Sequence, residues 1–562
     1  MADNSAAPFL HRLPIEVLHL ILAQFCEHCR WEDALGAPVT LSGRDSHWVA
    51  EERYLADTQD LRSLCLVSSA LRGPAQSVLH HMCMGGFEPD LQFAFRYSHL
   101  FRFVGSVATG DTPARLVREV KALSLGHGHL QRMPKVWRRS LAMPEAAHLR
   151  TFMASDSNEA NEITKIDFIA KLITTFPSLA HLSLGECADD SSDRVPSCIA
   201  QVEELPLTSI HLCANPGRSW YTKPSGLGKL TATVIARSKG LRMLAVDCCF
   251  GTATIFGSLQ PRPSLAQLRV LRLTSAWLEE EELQQIISAC PILCGLTYLE
   301  NGVGPTDGRP KQTPLKPLGV VRALASCRQT LRSLDLQLAT IKNQDTTGND
   351  NSRLAASFIG FAALQDLTIQ WRTICGPISN EEPDNEDDDE WQQLLVRVVP
   401  DGIRSLSVIG CAEETRPERF ARALEGLAAA KAHNHRFRHL AHVGCDVDAM
   451  MDSRNRPNHE SLDDDFVPGD GDPRWVHWGY DEAKDQEIAF GLFDPGNSIR
   501  EALGAAGVGR VEYSMAWLTG FRSRARDRAD RKEREIDCCR EEYYYGPRNV
   551  CPDSDQSGLS DL

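Results

Sequence analysis

The chain has 562 residues, of which 42% are hydrophobic, and this is enough apolar material for several structural units or one long repeat array. The formal net charge of −15 argues against binding to nucleic acid or to anionic membranes, since both call for a basic surface. No stretch approaches the roughly 18 consecutive apolar residues that a membrane span needs. Residues 1–8 lack the basic start and apolar stretch of a signal peptide. We therefore expect a protein of the cytoplasm or nucleus, with neither nucleic acid nor a membrane as partner.

The 18 cysteines are scattered along the chain, and several lie inside apolar stretches, such as Cys65, Cys290, Cys294 and Cys327. In a reducing compartment a free cysteine behaves as a small buried hydrophobic residue. We expect most of them to be structural thiols of this kind.

Two amphipathic helices are predicted near the N-terminus, at residues 10–25 and 60–82. Pro14 suits the first turn of a helix, where its missing N–H costs nothing, and Asp60 is a plausible N-cap. The apolar residues recur at three- and four-residue spacing. A segment of fewer than 90 residues is too small for two short helices to bury all of their apolar surface on its own. They therefore pack on the following domain or keep one apolar face for a partner protein.

The two helices resemble the F-box family. Its first pattern, Leu-Pro-x-Glu-(Ile/Val)-Leu-x-x-Ile-Leu, is matched by Leu13, Pro14, Glu16, Val17, Leu18, Ile21 and Leu22. Its second helix is matched by Leu61, Leu64, Val67, Ser68, Leu71 and Arg72. The resemblance covers residues 9–85, and residues 30–58 form a longer connection than is usual in the family. It implies that the matched residues bind a Skp-family adaptor, which links the chain to a cullin–RING ubiquitin ligase.

A hexad of the form apolar-x-x-apolar-x-apolar recurs from residue 116 to about 450, after a predicted helical linker at 86–115. Its instances begin at Val120, Leu149, Leu179, Leu207, Leu241, Leu268, Leu293, Leu331, Leu364, Ile403 and, more weakly, Phe437. Helical stretches at residues 162–176 and 279–290 run into Pro177 and Pro291 just before a hexad. Helix, proline and short strand form the unit expected of stacked repeats, which together bury one continuous core.

This array resembles the leucine-rich-repeat subclass of F-box proteins. The resemblance implies an α/β fold: a small helical F-box followed by a curved solenoid with parallel strands inside and helices outside. In that subclass the solenoid binds the protein substrate. Side chains alternate along a strand, so the third and fifth hexad positions face away from the core. These positions include the candidate contacts His181, His211, Arg272, Asp335, Asp366 and Thr368.

Arginine recurs at the second hexad position, where the candidate contact Arg269 lies. With Arg150, Arg242, Arg332, Arg404 and Arg438 it would form an arginine ridge, because parallel neighbours are roughly 4.8 Å apart. The ridge is either a solvated rim or a contact line for an acidic or phosphorylated partner.

The remaining segments are predicted from composition. Residues 380–390 form an acidic loop between repeats, residues 451–542 form a C-terminal cap with a charged helix, and residues 543–562 form a disordered tail. The CxxC pair Cys26 and Cys29, followed later by His80, His81 and Cys83, is a weak signal for zinc. We expect no metal, no cofactor and no catalytic residues.

The function that these resemblances imply is that of a substrate-recognition subunit of a ubiquitin ligase, which holds an unknown protein target for ubiquitination. The alternative is a repeat scaffold that acts without a ligase. Co-purification of a Skp-family adaptor, abolished by Leu18→Asp or Val67→Asp, distinguishes the two.

Overall fold

The computed structural model describes fourteen parts of the chain. They are residues 13–26, 29, 58–85, 114–125, 165–185, 195–213, 229–247, 265–300, 315–338, 357–375, 388–409, 417–433, 436–446 and 501–514. The predictions for most of the 30–58 insertion, most of the 86–115 linker, the Leu149 hexad with Arg150, the 543–562 tail and most of the C-terminal cap lie outside the described residues.

Three helices open the described chain: α1 (Ile15–Ala23), α2 (residues 58–67) and α3 (Ser69–Leu79). The second predicted helix is therefore two helices. The backbone of Ser68 is extended, and its hydroxyl accepts a hydrogen bond from the Leu71 N–H at 3.4 Å, which caps α3. The Arg72 guanidinium donates to the Cys65 carbonyl at 3.1 Å, which fixes the break between α2 and α3.

Twelve short strands form a parallel sheet in strict chain order, each hydrogen-bonded to its neighbours in the sequence. They are β1 (Met82–Gly85), β2 (Ala122–Leu125), β3 (His181–Gly185), β4 (Ser209–Cys213), β5 (Met243–Asp247), β6 (Val270–Ala276), β7 (Gly295–Glu300), β8 (Ser333–Gln337), β9 (Asp366–Gln370), β10 (Ser405–Ile409), β11 (His442–Asp446) and β12 (Arg510–Ser514). A parallel sheet whose strands pair in chain order is compatible with a solenoid.

Helices connect successive strands through much of the described chain. They are α4 (Ala114–Glu119), α5 (Lys165–Thr175), α6 (Ser197–Ala200), α7 (Lys229–Arg237), α8 (Glu280–Ser288), α9 (Pro317–Ala323, followed by a 3-10 turn at Leu324–Cys327), α10 (Trp371–Cys375), α11 (Asp388–Val398), α12 (Pro417–His433) and α13 (residues 501–505). In the described parts of the chain, no helix has both the length and the apolar character needed to cross a bilayer.

The core is built from the apolar hexad positions together with the inner faces of the helices. The fourth position of the hexad forms a ladder of buried side chains that are in register across ten strands. Its members are Leu123, Leu182, Ile210, Leu244, Leu271, Leu296, Leu334, Leu367, Leu406 and Val443. Each of these side chains packs against the one on the next strand, so the repeats share one continuous core that a single repeat could not form alone.

The prediction of an α/β fold with parallel strands is confirmed, and nine of the eleven hexads coincide with strands in the predicted frame. The helices before Pro177 and Pro291 are also present, as α5 and α8. In α8 the Glu282 carboxylate accepts from the Glu279 N–H at 3.1 Å in a capping box, which explains why the acidic run begins a helix.

The frame predicted at Phe437 is wrong by three residues. Phe437 has a φ of +52° and a buried side chain, and its carbonyl accepts from the Leu440 N–H at 2.9 Å in a turn before the strand. The hexad of β11 therefore begins at Leu440, and Val443 and Cys445 supply its other apolar positions.

The hexad pattern did not predict two of the strands, β1 and β12. Each of them lies outside the range predicted for the repeats. The hexad frame of β1 begins at the polar residue His80, and β1 continues the predicted F-box segment directly into the sheet. The frame of β12 contains Val508, Val511 and Tyr513, so the sheet extends past residue 450, where the repeats were predicted to end. The acidic loop is also shorter than predicted, since α11 begins at Asp388.

Of the four cysteines named as examples of buried structural thiols, Cys290 and Cys327 are buried as predicted, whereas Cys65 and Cys294 are half-buried. Burial raises the pKa of Cys290 to about 12 and that of Cys327 to about 11. Because the thiolate is the reactive form, we expect both cysteines to resist alkylation in the folded protein at pH 8 and to react once it is unfolded in guanidinium. Mass spectrometry of peptides from the two samples measures this. Rapid labelling of Cys290 in the folded protein would contradict it.

Candidate functional site

The three N-terminal helices surround a small core of their own. Leu22 and Cys26 from α1 and its end, Leu61 from α2, and Ala75 and Val78 from α3 form a buried cluster. This cluster is separate from the long core of the sheet among the described residues. The inner faces of these helices are therefore buried against one another, whereas apolar side chains on their outer surface remain exposed.

Six large apolar side chains of the N-terminal helices are exposed. They are Ile15, Val17, Leu20 and Ile21 on α1, and Leu66 and Val67 at the end of α2. We call these six residues the exposed apolar set. Leu66 and Val67 are each 81% exposed and Leu20 is 69% exposed. In the rest of the described chain, the exposed large apolar residues are Ile292, Leu318 and Ile359. The N-terminal helices thus concentrate the apolar exposure of the described structure.

The twelve predicted adaptor contacts divide between these two faces. Leu18, Leu22, Leu61 and Leu71 are buried. These four leucines stabilise the helices and are not surface contacts, and Ser68 is explained by its role as the cap of α3. Val17, Ile21 and Val67 are exposed, as are Pro14 and Glu16, whereas Leu13 and Leu64 are half-buried. The sequence pattern missed Ile15, Leu20 and Leu66, which lie beside the matched positions.

The second candidate surface is the open face of the sheet, formed by the third and fifth hexad positions. The fifth positions lie in register as Ser183, His211, Ala245, Arg272, Thr297, Asp335, Thr368 and Ser407. His211, Arg272, Asp335, Asp366 and Thr368 are half-buried on this face, as predicted. His181 also lies on β3 but is 6% exposed, so little of its surface is accessible to a partner.

Four charged or titratable side chains meet at the middle of the open face, and we call them the central cluster: His211, Asp247, Arg272 and Asp335. The His211 Nε2 atom is 3.6 Å from Asp247 Oδ2. The Thr274 hydroxyl donates a hydrogen bond to the other oxygen of Asp247. Arg272 is on β6, next to the strand that carries Asp247, whereas Asp335 is on β8, two strands from Arg272, with Thr297 of β7 between them.

Burial shifts the pKa values of two members of the central cluster, Arg272 and Asp335. It lowers the pKa of the Arg272 guanidinium, an effect that Asp335 and Asp247 oppose. It raises the pKa of the Asp335 carboxyl, against a 3.4 Å hydrogen bond from the Gln337 amide and the charge of Arg272. The positively charged Arg272 and the negatively charged Asp247 and Asp335 are therefore only partly accessible to solvent. A protein partner with matching polar groups would gain from this arrangement in specificity more than in raw affinity.

A serine, a histidine and an aspartate also meet on the open face, but in an order that does not suit nucleophilic catalysis. Ser405 Oγ is 2.7 Å from His442 Nδ1, and Asp366 is on the other side of Ser405. Burial raises the pKa of Asp366, against the charges of Arg404 and His442. In a catalytic triad the histidine stands between the other two groups. Here Asp366 and His442 are two strands apart, roughly 9.6 Å, so the carboxylate cannot orient the imidazole.

The predicted arginine ridge is interrupted. Arg242 and Arg269 are neighbours, since the Arg269 N–H donates to the Arg242 carbonyl at 2.8 Å. Cys294 then separates Arg269 from Arg332, and Gln365 separates Arg332 from Arg404. Arg438 is outside the row because the β11 frame begins at Leu440. What remains is one arginine pair on an exposed rim.

A third group of interest lies where the N-terminal helices meet the sheet. The thiols of Cys26 and Cys29 and the imidazole of His81 place one potential metal-binding atom each within 4.8 Å of one another. The sequence predicts this set only weakly, and the packing of the N-terminal helices on the sheet brings the three side chains together.

Comparison with known proteins gives no match, either to a protein-family model or to a curated protein.

The central cluster makes a prediction about stability. Replacing Arg272 by aspartate removes the positive charge that interacts with Asp247 and Asp335 and adds a third half-buried carboxylate, so we expect the free energy of unfolding to fall by about 2 kcal/mol. Adding Asp335→Arg should recover about 1 kcal/mol, because the pair of opposite charges is restored. Thermal unfolding of the two variants measures both shifts. Arg242→Asp, on the exposed rim, is the matched control and should change little; additive effects of the Arg272 and Asp335 changes would contradict the coupling.

Proposed function

We propose that this chain is the substrate-recognition subunit of an SCF-type cullin–RING ubiquitin ligase. Its N-terminal helices bind a Skp-family adaptor, and the open face of its sheet binds a target protein. The observation that carries the proposal is the exposed apolar set, because Val17, Ile21 and Val67 stand at positions of the F-box pattern and project outward. The other pattern leucines hold the helices together beneath them.

The energetics of these side chains support a protein partner. Burial of an exposed leucine or valine contributes about 1.5–3 kcal/mol. Six such side chains on two short helices favour association with an apolar surface. Because Val17, Ile21 and Val67 match the F-box pattern in order, we propose that an adaptor of the Skp family binds this surface.

The sheet supports the second half of the proposal. Strands in chain order, an in-register apolar ladder and helices that end before a proline are features of leucine-rich-repeat solenoids. We infer that the open face, with its central cluster, is the substrate-binding surface. His211, Arg272, Asp335, Asp366 and Thr368 lie on it, and Arg269 lies at its rim.

The proposed mechanism involves no chemistry by this chain and no cofactor. Binding the adaptor at one end and the target at the other raises the concentration of the target near a ubiquitin-charged conjugating enzyme. Such a receptor acts in the cytoplasm or the nucleus, where the ligase and its targets meet. We propose that the chain is not an enzyme.

Proximity labelling from the full-length chain, with and without proteasome inhibition, tests the proposal. We expect cullin and adaptor peptides in both samples, and target proteins that accumulate when the proteasome is inhibited. Arg269→Glu should reduce capture of those targets but not of the adaptor. The matched control is Arg438→Glu, which changes an exposed arginine outside the hexad frame. Target capture without any adaptor or cullin would favour a scaffold that acts independently of a ligase.

A further inference from the structure

The side chains of Cys26, Cys29 and His81 meet at the junction between the helices and the sheet. Cys26 lies three residues beyond the end of α1 at Ala23, and His81 lies between α3 and β1. Cys29 Sγ is 3.3 Å from His81 Nδ1, and the three potential ligand atoms all lie within 4.8 Å of one another. Packing of α1 on α3 therefore brings together residues that are 52 or more positions apart in the chain.

These distances are close to those of a tetrahedral zinc site. With Zn–S of about 2.3 Å and Zn–N of about 2.0 Å, the ligand atoms of such a site are roughly 3.6 Å apart for sulfur and nitrogen, and about 3.8 Å for two sulfurs. Cys29 Sγ and His81 Nδ1 are slightly closer than this at 3.3 Å, and the other separations are at most 4.8 Å, so small side-chain shifts would reach this geometry. Both Cys26 and His81 are buried, so a metal bound here would be largely shielded from water.

The second nitrogen of His81 gives an independent indication. His81 Nε2 faces Glu119 Oε2 at 3.7 Å, while Nδ1 faces the thiols. A histidine that binds a metal through one ring nitrogen usually donates its other N–H to a carboxylate, which fixes the tautomer and the orientation of the ring. Glu119 ends α4, shortly before β2, and its carboxylate would need to move less than about 1 Å closer to accept this hydrogen bond.

We propose that Cys26 Sγ, Cys29 Sγ and His81 Nδ1 bind a zinc ion, with Glu119 as the carboxylate that positions His81. The fourth coordination position would be taken by solvent or by one further ligand. The ion would tie the end of α1 to the start of β1 and, through Glu119, to α4. It would thus hold the N-terminal helices against the first strands. This proposal does not rest on adaptor binding, and either can fail without the other.

Metal analysis of the full-length chain, purified under reducing conditions from zinc-supplemented cells, tests the proposal. We expect about one zinc per chain, and less than about one-tenth of that in Cys29→Ser and in His81→Gln. Cys65→Ser is the matched control, since Cys65 is another half-buried thiol packed against the same helical core. Its zinc content should equal that of the unmodified chain.

The role of Glu119 has its own measurement. We expect Glu119→Gln to keep the zinc ion but to weaken its affinity roughly tenfold in competition with a chelator. An unchanged affinity would remove Glu119 from the site.

A spectroscopic measurement on the unmodified chain covers the case in which a variant does not fold. Cobalt(II) added to the metal-free protein should give a thiolate-to-cobalt charge-transfer band, and X-ray absorption should find at least two sulfur neighbours of zinc at about 2.3 Å. Absence of zinc together with absence of the cobalt band would overturn the proposal. So would a Cys26–Cys29 disulfide in the purified chain, or full zinc content in both ligand variants.

Discussion

Replacement of Val67 by aspartate is expected to abolish adaptor binding while leaving the N-terminal helices folded. Val67 is 81% exposed at the end of α2, so the carboxylate is solvated in the free chain and the helical core is untouched. In the complex the same carboxylate would be buried against an apolar surface without a partner, which costs several kcal/mol. We expect the affinity for a purified Skp-family adaptor to fall at least about 100-fold, measured by calorimetry.

Two further variants give this experiment its controls. Leu318→Asp changes an exposed leucine on α9, and it should leave adaptor binding intact because it lies outside the N-terminal helices. Leu22→Asp places a charge in the helical core, and it should lose both binding and helical structure. If Val67→Asp bound the adaptor as tightly as the unmodified chain, the exposed apolar set would not be the adaptor surface.

Replacement of Gly426 by alanine is expected to destabilise the folded chain strongly. Gly426 lies in α12 where that helix crosses α11. An added Cβ would lie 2.6 Å from the carbonyl carbon of Gln392 and 2.9 Å from its Cα, and it would overlap the carbonyl oxygen. The obstacle is backbone, so the helices must separate. The Arg419 guanidinium of α12 also lies over the Trp391 ring of α11, 4.5 Å from the ring centroid, and separation of the two helices would disturb this contact too.

We expect Gly426→Ala to lower the free energy of unfolding by about 3 kcal/mol. Thermal unfolding and the hydrogen exchange of the α11 and α12 amides measure the change. Gly73→Ala is the matched control, because Gly73 is also in a helix but has nothing within 4 Å of an added Cβ. It should stabilise the chain by up to about 1 kcal/mol through helix propensity. Equal unfolding temperatures for Gly426→Ala and the unmodified chain would show that α11 and α12 pack less closely.

The hexads predicted most of the sheet because their signal is local and repeated. A strand with one buried face needs apolar side chains at alternate positions, and Leu268, Leu271 and Leu273 supply them within six residues. The signal failed where the local pattern was ambiguous. Phe437 and Leu440 are both buried, and the positive φ of Phe437, which sets the frame, cannot be inferred from residue type.

The candidate surfaces depend on contacts between distant parts of the chain. Leu18 and Val17 belong to the same amphipathic pattern, but one is buried and the other exposed because of how α1 packs on α3. The same packing brings Cys26 to His81, a relation that residue spacing cannot reveal. The interruptions of the arginine ridge, in contrast, can be read from the sequence, since the hexads at Leu293 and Leu364 carry Cys294 and Gln365 at their second positions.

The most direct measurement of the proposed function is the mass of the complex formed when the full-length chain is co-expressed with a Skp-family adaptor and analysed by size-exclusion chromatography with light scattering. The proposal predicts a single species with the mass of one chain and one adaptor, which the Val67→Asp variant does not form. A folded chain that elutes at its own mass beside free adaptor would contradict assignment of this protein to a ubiquitin ligase.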